Sequence, residues 1–141
     1  MTGGFGDENT DWEGTFTSSE LVDGLIVTKG PELPWKFYRH CATQINSTHG
    51  ILIGGQGRLK GSLIVDLNNN FQMSTGPDLI GIGRRDHMCI KFSYMNENYV
   101  LVAGGKDLEN TPNLTTEILN VNDIGRGWTQ GMYIFLDSME L

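Results

Sequence analysis

Ile51-Leu52-Ile53-Gly54-Gly55 is answered fifty residues later by Leu101-Val102-Ala103-Gly104-Gly105, a short apolar run closed by two glycines. A third pair, Gly3-Gly4, stands 51 residues before the first of these. Around the pairs other features recur in the same order. Gly30-Pro31 and Gly76-Pro77 lie 46 apart, and each is followed by an acid and a leucine, Glu32-Leu33 and Asp78-Leu79. A basic residue and a histidine come next, Arg39-His40 and Arg85 with His87, the histidines 47 apart. Beyond each glycine pair a variable stretch leads to another apolar run, Leu63 to Leu67 and Thr116 to Val121, with Ser18 to Val22 as an earlier copy. An aromatic follows the two later copies, Phe71 and Trp128. Five features in one order at one spacing indicate an internal structural repeat.

The runs are four to seven residues long and rich in Ile, Val, Leu, Thr and Tyr, the composition of strands. Gly, Asn, Asp and Ser separate them and accept turn geometry. No segment sustains a 3.6-residue apolar period with caps, so the expected class is all-β. The 19 glycines against 4 prolines, with no Gly-X-Y period, agree with many tight turns.

The order of these features resembles the kelch repeat, whose period is near 50. It has a basic residue before the first strand, a second strand ending in Gly-Gly, a third with a polar end and an aromatic fourth. The resemblance implies four-stranded antiparallel blades of a kelch-type β-propeller. It divides the chain into part of a preceding blade (1–38), a repeat at 39–83, a repeat at 84–131 and a tail at 132–141. The expected strands are His40–Asn46, Gly50–Gly54, Ser62–Leu67 and Phe71–Thr75, then His87–Phe92, Tyr99–Gly104, Thr116–Val121 and Gly127–Gln130. The first copy has no aromatic near Leu25 to Val27. Propellers close with about four to eight blades, so roughly 200 residues are the minimum. At 141 residues the chain is expected to be a fragment of a larger kelch protein, to complete a ring with other copies or another chain, or to stand as an open arc.

Composition narrows the function. Hydrophobic residues at 38% and charged ones at 19% suit a folded domain rather than a disordered one. A net charge of -7 repels phosphate backbones and sets nucleic acid aside as a partner. No run approaches the roughly 18 apolar residues of a membrane helix, and the opening residues lack the pattern of a signal peptide. Cys41 and Cys89 are expected as free, buried thiols, which lean towards a reducing, cytoplasmic setting. With His40 aligned on His87, Cys41 falls opposite Met88 and Cys89 opposite Ala42. Alternation along a strand then points the two thiols to opposite sides of their blades, and a disulfide between them is not expected.

Candidates for chemistry are few. His40 and His87 recur with the repeat and read as packing residues. His49 sits in a hairpin turn and reads as exposed. No metal-ligand spacing is present. Gly55 to Ser62 holds the residues of a phosphate loop in the wrong order, since Lys60 precedes Gly61 and a strand follows. Gly81-Ile82-Gly83-Arg84 lacks the third glycine of a dinucleotide loop. Asp66 and Glu117 both fall in third strands. Asp7, Glu8, Asp11 and Glu13 form an acidic loop, a solvated stretch or a patch for a basic partner. Arg84-Arg85-Asp86 lies between blades, where arginine either ties neighbours together or meets a partner. Asn46-Ser47-Thr48 and Asn113-Leu114-Thr115 are glycosylation patterns that matter only if the chain is secreted.

The expected function is therefore non-catalytic protein binding through propeller loops, with no cofactor, metal or catalytic residue and an unidentified protein partner. The alternatives are a piece of a ubiquitin-ligase substrate adaptor, of an extracellular or cytoskeletal kelch protein, or of a propeller enzyme.

Overall fold

The computed structural model describes residues 17–131. The acidic loop at Asp7 to Glu13, the Gly3-Gly4 pair and the tail at 132–141 lie outside the described residues. The described part is all-β and antiparallel. Its strands are β1 (Glu20–Asp23), β2 (Ile26–Lys29), β3 (Cys41–Gln44), β4 (His49–Ile53), β5 (Ser62–Asp66), β6 (Met73–Thr75), β7 (Met88–Tyr94), β8 (Glu97–Ala103), β9 (Thr116–Asn120) and β10 (Trp128–Gln130), with a 3₁₀ segment at Val121–Arg126. They form a hairpin, β1-β2, and two four-stranded sheets in the orders β3-β4-β5-β6 and β7-β8-β9-β10. We call the latter two sheet I and sheet II.

The two sheets share one register. Cys41 pairs with Ile53 and Met88 with Ala103, each one residue ahead of a glycine pair. Ile53 pairs with Ser62 and Ala103 with Thr116. The last strands end alike, with Gly76 N–H donating to Ser62 O at 3.0 Å and Gly131 N–H to Thr116 O at 2.8 Å. Gly30 N–H donates to Ser19 O at 2.7 Å, which makes β1-β2 the counterpart of β5-β6 and β9-β10. Strand ends differ from expectation by one or two residues, and β7 and β8 extend to a tight turn at Met95-Asn96, both with positive φ. One aromatic assignment is corrected. Trp128 lies in β10 opposite Leu119, and the matching residue opposite Val65 is Met73. Phe71 precedes the strand, in a turn where its own φ is 55°.

Two apolar clusters hold the sheets. Ile51 and Ile53 of β4, with Ile45, pack against Val100 and Val102 of β8, Leu119 and Trp128, and Leu79 from the connecting segment joins them. Leu52, one step along β4, points the other way and joins Leu63 and Val65 with Leu33 and Phe37 from the segment before β3. Sheet I is thus covered on both faces, as the alternation of its side chains requires. Among the described residues sheet II is covered on one; on the other, Met88 and Ile90 are 66% and 55% exposed.

This face-to-face packing corrects the cysteine expectation. Cys41 and Cys89 form a disulfide, with Cα atoms 5.9 Å apart and a sequence separation of 48. The thiols do leave opposite faces of their respective sheets: Cys41 shares a face with its cross-strand partner Ile53, and Cys89 with Val102. The forward face of sheet I meets the rear face of sheet II, however, so opposite directions bring the sulfurs together. With this bond the two cysteines no longer point to a reducing compartment.

Candidate functional site

Each sheet has two ends. At the hairpin end lie the β3–β4 turn and the β5–β6 turn, linked by Leu67 N–H to Thr48 O at 2.7 Å. At the other end lie the glycine pairs and the segments that enter each sheet, and here the sheets are tied to one another.

The glycines permit the tie. Gly54 and Gly55 have φ of 61° and 92°, where side chains are rarely accommodated. A Cβ on Gly54 would lie 2.6 Å from Arg84 O, and one on Gly55 2.6 Å from Tyr38 O. The absence of side chains lets Gly55 N–H donate to Arg84 O at 2.9 Å and Gln56 N–H to Tyr38 O at 2.7 Å. The Gly55–Arg84 bond crosses between the sheets; within sheet II, Lys106 and Arg85 exchange two backbone bonds at 2.9 and 3.0 Å, the counterpart of Gln56–Tyr38 within sheet I.

Arg84 is fully buried. Its Nη1 donates to the carbonyls of Gly104 and Thr115 at 3.1 and 2.9 Å, and its Nη2 to Thr115 Oγ1 and Glu117 Oε1 at 3.0 and 2.9 Å. Glu117 Oε2 accepts from Ile80 N–H at 2.7 Å. Arg84 is therefore a tie. Arg85, also buried, donates to Gln56 Oε1 at 3.0 Å and Asn110 Oδ1 at 2.9 Å. Asp66 and Glu117, paired in the sequence reading, are not register counterparts: Asp66 aligns with Asn120 and Glu117 with Leu63. Asp66 and Asn120 each accept a backbone N–H two residues on.

The exposed residues of this end converge on Asp86. Arg39 Nη1 lies 3.3 Å and Lys106 Nζ 3.5 Å from Asp86 Oδ2, all three side chains about one-third exposed. The Arg39 guanidinium also lies 5.1 Å from the Tyr38 ring centroid. Arg39 and Asp86 occupy equivalent places in the two sheets, and both hold left-handed backbone, φ 57° and 54°. Such a conformation costs a non-glycine residue about 1–3 kcal/mol and is retained where surroundings impose it, often at binding sites. Asp86 stands in a charged run of the sequence; Tyr38, Gln56 and Lys106 carry no signal there beyond their position beside the histidines and glycine pairs.

His40 and His87 sit just behind this surface. Burial lowers the pKa of His40. Burial, then the neighbouring Arg84 charge, brings His87 to about 4, so its imidazole is neutral near pH 7. His40 packs edge-on against Phe37 at 5.3 Å. His49 departs from the expected exposed turn position. It opens β4, half-buried, with Nδ1 2.8 Å from Thr48 Oγ1 and Nε2 3.9 Å from Asp66 Oδ2. The Gly55 to Ser62 stretch closes as a hairpin loop through Gly61 N–H to Arg58 O at 3.0 Å, with Arg58 over the Trp35 ring at 4.4 Å. Among the described residues no three His, Cys, Asp or Glu side chains are grouped to hold an ion. No known family model matches the chain, and no curated protein matches it at a significant level.

Proposed function

We propose that the two sheets are blades of a kelch-type propeller and that the glycine-pair end binds another protein without catalysis. The common strand order and register of the sheets, and the hairpin that repeats their outer half, support the blade reading. One observation carries the binding reading. Arg39, Asp86 and Lys106 form a mixed-charge cluster beside Tyr38, partly exposed and held by left-handed backbone that the sheets impose. Arg and Tyr are the residue types that dominate binding energy when a partner desolvates them. The rigid strands behind supply the scaffold from which such a surface recognises its target.

The test is capture of proteins by the immobilised chain and three variants that retain the β-sheet circular dichroism spectrum. A partner held by the wild type and by Asp123→Lys, at the hairpin end, but lost by Arg39→Glu and by Lys106→Glu supports the site. Equal capture by all four overturns it.

A second reading, self-association, rests on the bare face of sheet II. Met88, Ile90 and Leu101 occupy the places that Cys41, Thr43 and Ile51 hold in sheet I, where sheet II covers them. Light scattering is expected to find a discrete oligomer that Ile90→Lys dissociates; a wild-type monomer overturns this reading.

A further inference from the structure

We propose that Asn46 is an acceptor for an N-linked oligosaccharide and that Asn113, in the second Asn-x-Ser/Thr triplet, is not. Two independent observations carry this. The first is the disulfide between Cys41 and Cys89, which persists in the oxidising compartments where such oligosaccharides are attached and not in a reducing cytosol. The second is the opposite setting of the two asparagines.

Asn46 is exposed at the hairpin end, in the turn between β3 and β4. Its Oδ1 accepts from Thr48 N–H at 2.8 Å, from Thr48 Oγ1 at 3.0 Å and from His49 N–H at 2.8 Å. These bonds hold the carboxamide oxygen against the turn and polarise the amide, while Nδ2 makes no hydrogen bond among the described residues. The hydroxyl that the triplet requires at its third position already touches the amide it serves. Asn113 is 8% exposed. Its Nδ2 donates to Ile82 O at 3.3 Å and its Oδ1 accepts from Thr115 N–H and Oγ1 at 3.0 and 2.7 Å. The Thr115 hydroxyl in turn accepts from Arg84. A sugar on Asn113 Nδ2 has no room unless this buried network opens.

The step is a substitution. Asn46 Nδ2 attacks the anomeric carbon of an oligosaccharide carried on a lipid diphosphate. The carbon–nitrogen bond forms, the bond from carbon to the diphosphate oxygen breaks, the amide gives up one proton, and the lipid diphosphate leaves. No electrons are transferred. The glycan projects from the hairpin end and leaves the glycine-pair end uncovered, although the inference does not depend on what that end binds.

The test is expression of the full chain behind a cleavable secretory leader in animal cells, with site occupancy read by mass spectrometry before and after enzymatic glycan release. Both the secreted and the retained pools are measured. Most molecules are expected to carry one glycan, on Asn46, with Cys41 and Cys89 resistant to alkylation. Thr48→Ala, which keeps the asparagine, is expected to lose the glycan, and Thr48→Ser to keep it. Unmodified Asn46 in both pools, or a glycan on Asn113 in secreted protein, overturns the proposal.

Discussion

The segments entering the two sheets sit in equivalent places and solve the same packing problem with opposite chemistry. Phe37, in the segment entering sheet I, lies in one apolar cluster with Leu63 of β5. The corresponding residues in sheet II are Arg84 of its entering segment and Glu117 of β9, a fully buried ion pair. Both fill the space between neighbouring elements. The apolar version draws on area removed from water. The charged version fixes position, because each partner satisfies the other and the carbonyls of Gly104 and Thr115, at a desolvation cost that leaves little net stability. The fold therefore demands volume at this place and tolerates either chemistry.

Breaking one partner should show the largest effect. Arg84→Met strands the Glu117 carboxylate and is expected to cost about 3–5 kcal/mol by chemical denaturation. Adding Glu117→Leu, the residue type of sheet I, is expected to return part of that. Recovery stays incomplete because Ile80 N–H then loses its acceptor. If the double variant is no better than the single one, the two wedges are not interchangeable.

The disulfide comes next. Reduction, or Cys89→Ser, removes a link closing 48 residues of separation, worth about 4 kcal/mol in the chain-entropy account. Urea titrations with and without reductant measure it. The loss should be nearly equal for Cys41→Ser, which distinguishes a broken link from local packing.

Burial of His87 makes stability depend on pH. His87 titrates near 4 in the folded chain, below its ordinary 6.5. Between those values the unfolded chain binds the extra proton, so stability rises with pH. The contribution is fully present above about pH 6.5 and is lost as pH falls through 4. Its size is at most about 3 kcal/mol at roughly 1.36 kcal/mol per pH unit. His87→Phe should flatten this slope in denaturation curves at pH 4 to 7. An unchanged slope places the acid sensitivity elsewhere.

The glycine pairs give the smallest contrast. A Cβ on Gly54 meets Arg84 O and the His87 ring, whereas one on Gly104 meets nothing within 4 Å. Gly104→Ala is expected to cost about 1–2 kcal/mol, for backbone strain alone. Gly54→Ala should cost a further 1–3 kcal/mol, roughly the range for overpacking. Equal melting shifts would mean that Gly104 also has a neighbour in solution, as expected if another sheet covers sheet II.

The eight strands of the two sheets were legible because alternation and turn chemistry are local, whereas β2 and the 3₁₀ segment at Val121–Arg126 were not named. Ile51-Leu52-Ile53 announces two buried faces, and Gly54-Gly55 announces a strand end. The first strand of the outer hairpin was legible from Ser18 to Val22 even without its aromatic. Phe71 was misplaced because an aromatic near a strand says little about which side of the turn it occupies. The surface at Arg39, Asp86 and Lys106 was legible only in part. Asp86 stood out in a charged run, but pairing between residues 47 apart has no local signature.

The sequence by itself determined the β class, the recurrence of strand-like runs closed by glycine pairs, and the alternation of faces along each run. Those follow from a two-residue period and from glycines that tolerate positive φ. Only the tertiary structure decided what meets each face. It turned opposite-facing cysteines into partners, made Arg84 a buried tie while leaving Arg39 at the surface, and separated an exposed Asn46 from a buried Asn113. The physical reason is that a face has a direction along the chain but a neighbour only in space, and burial, pairing and pKa are properties of the neighbour.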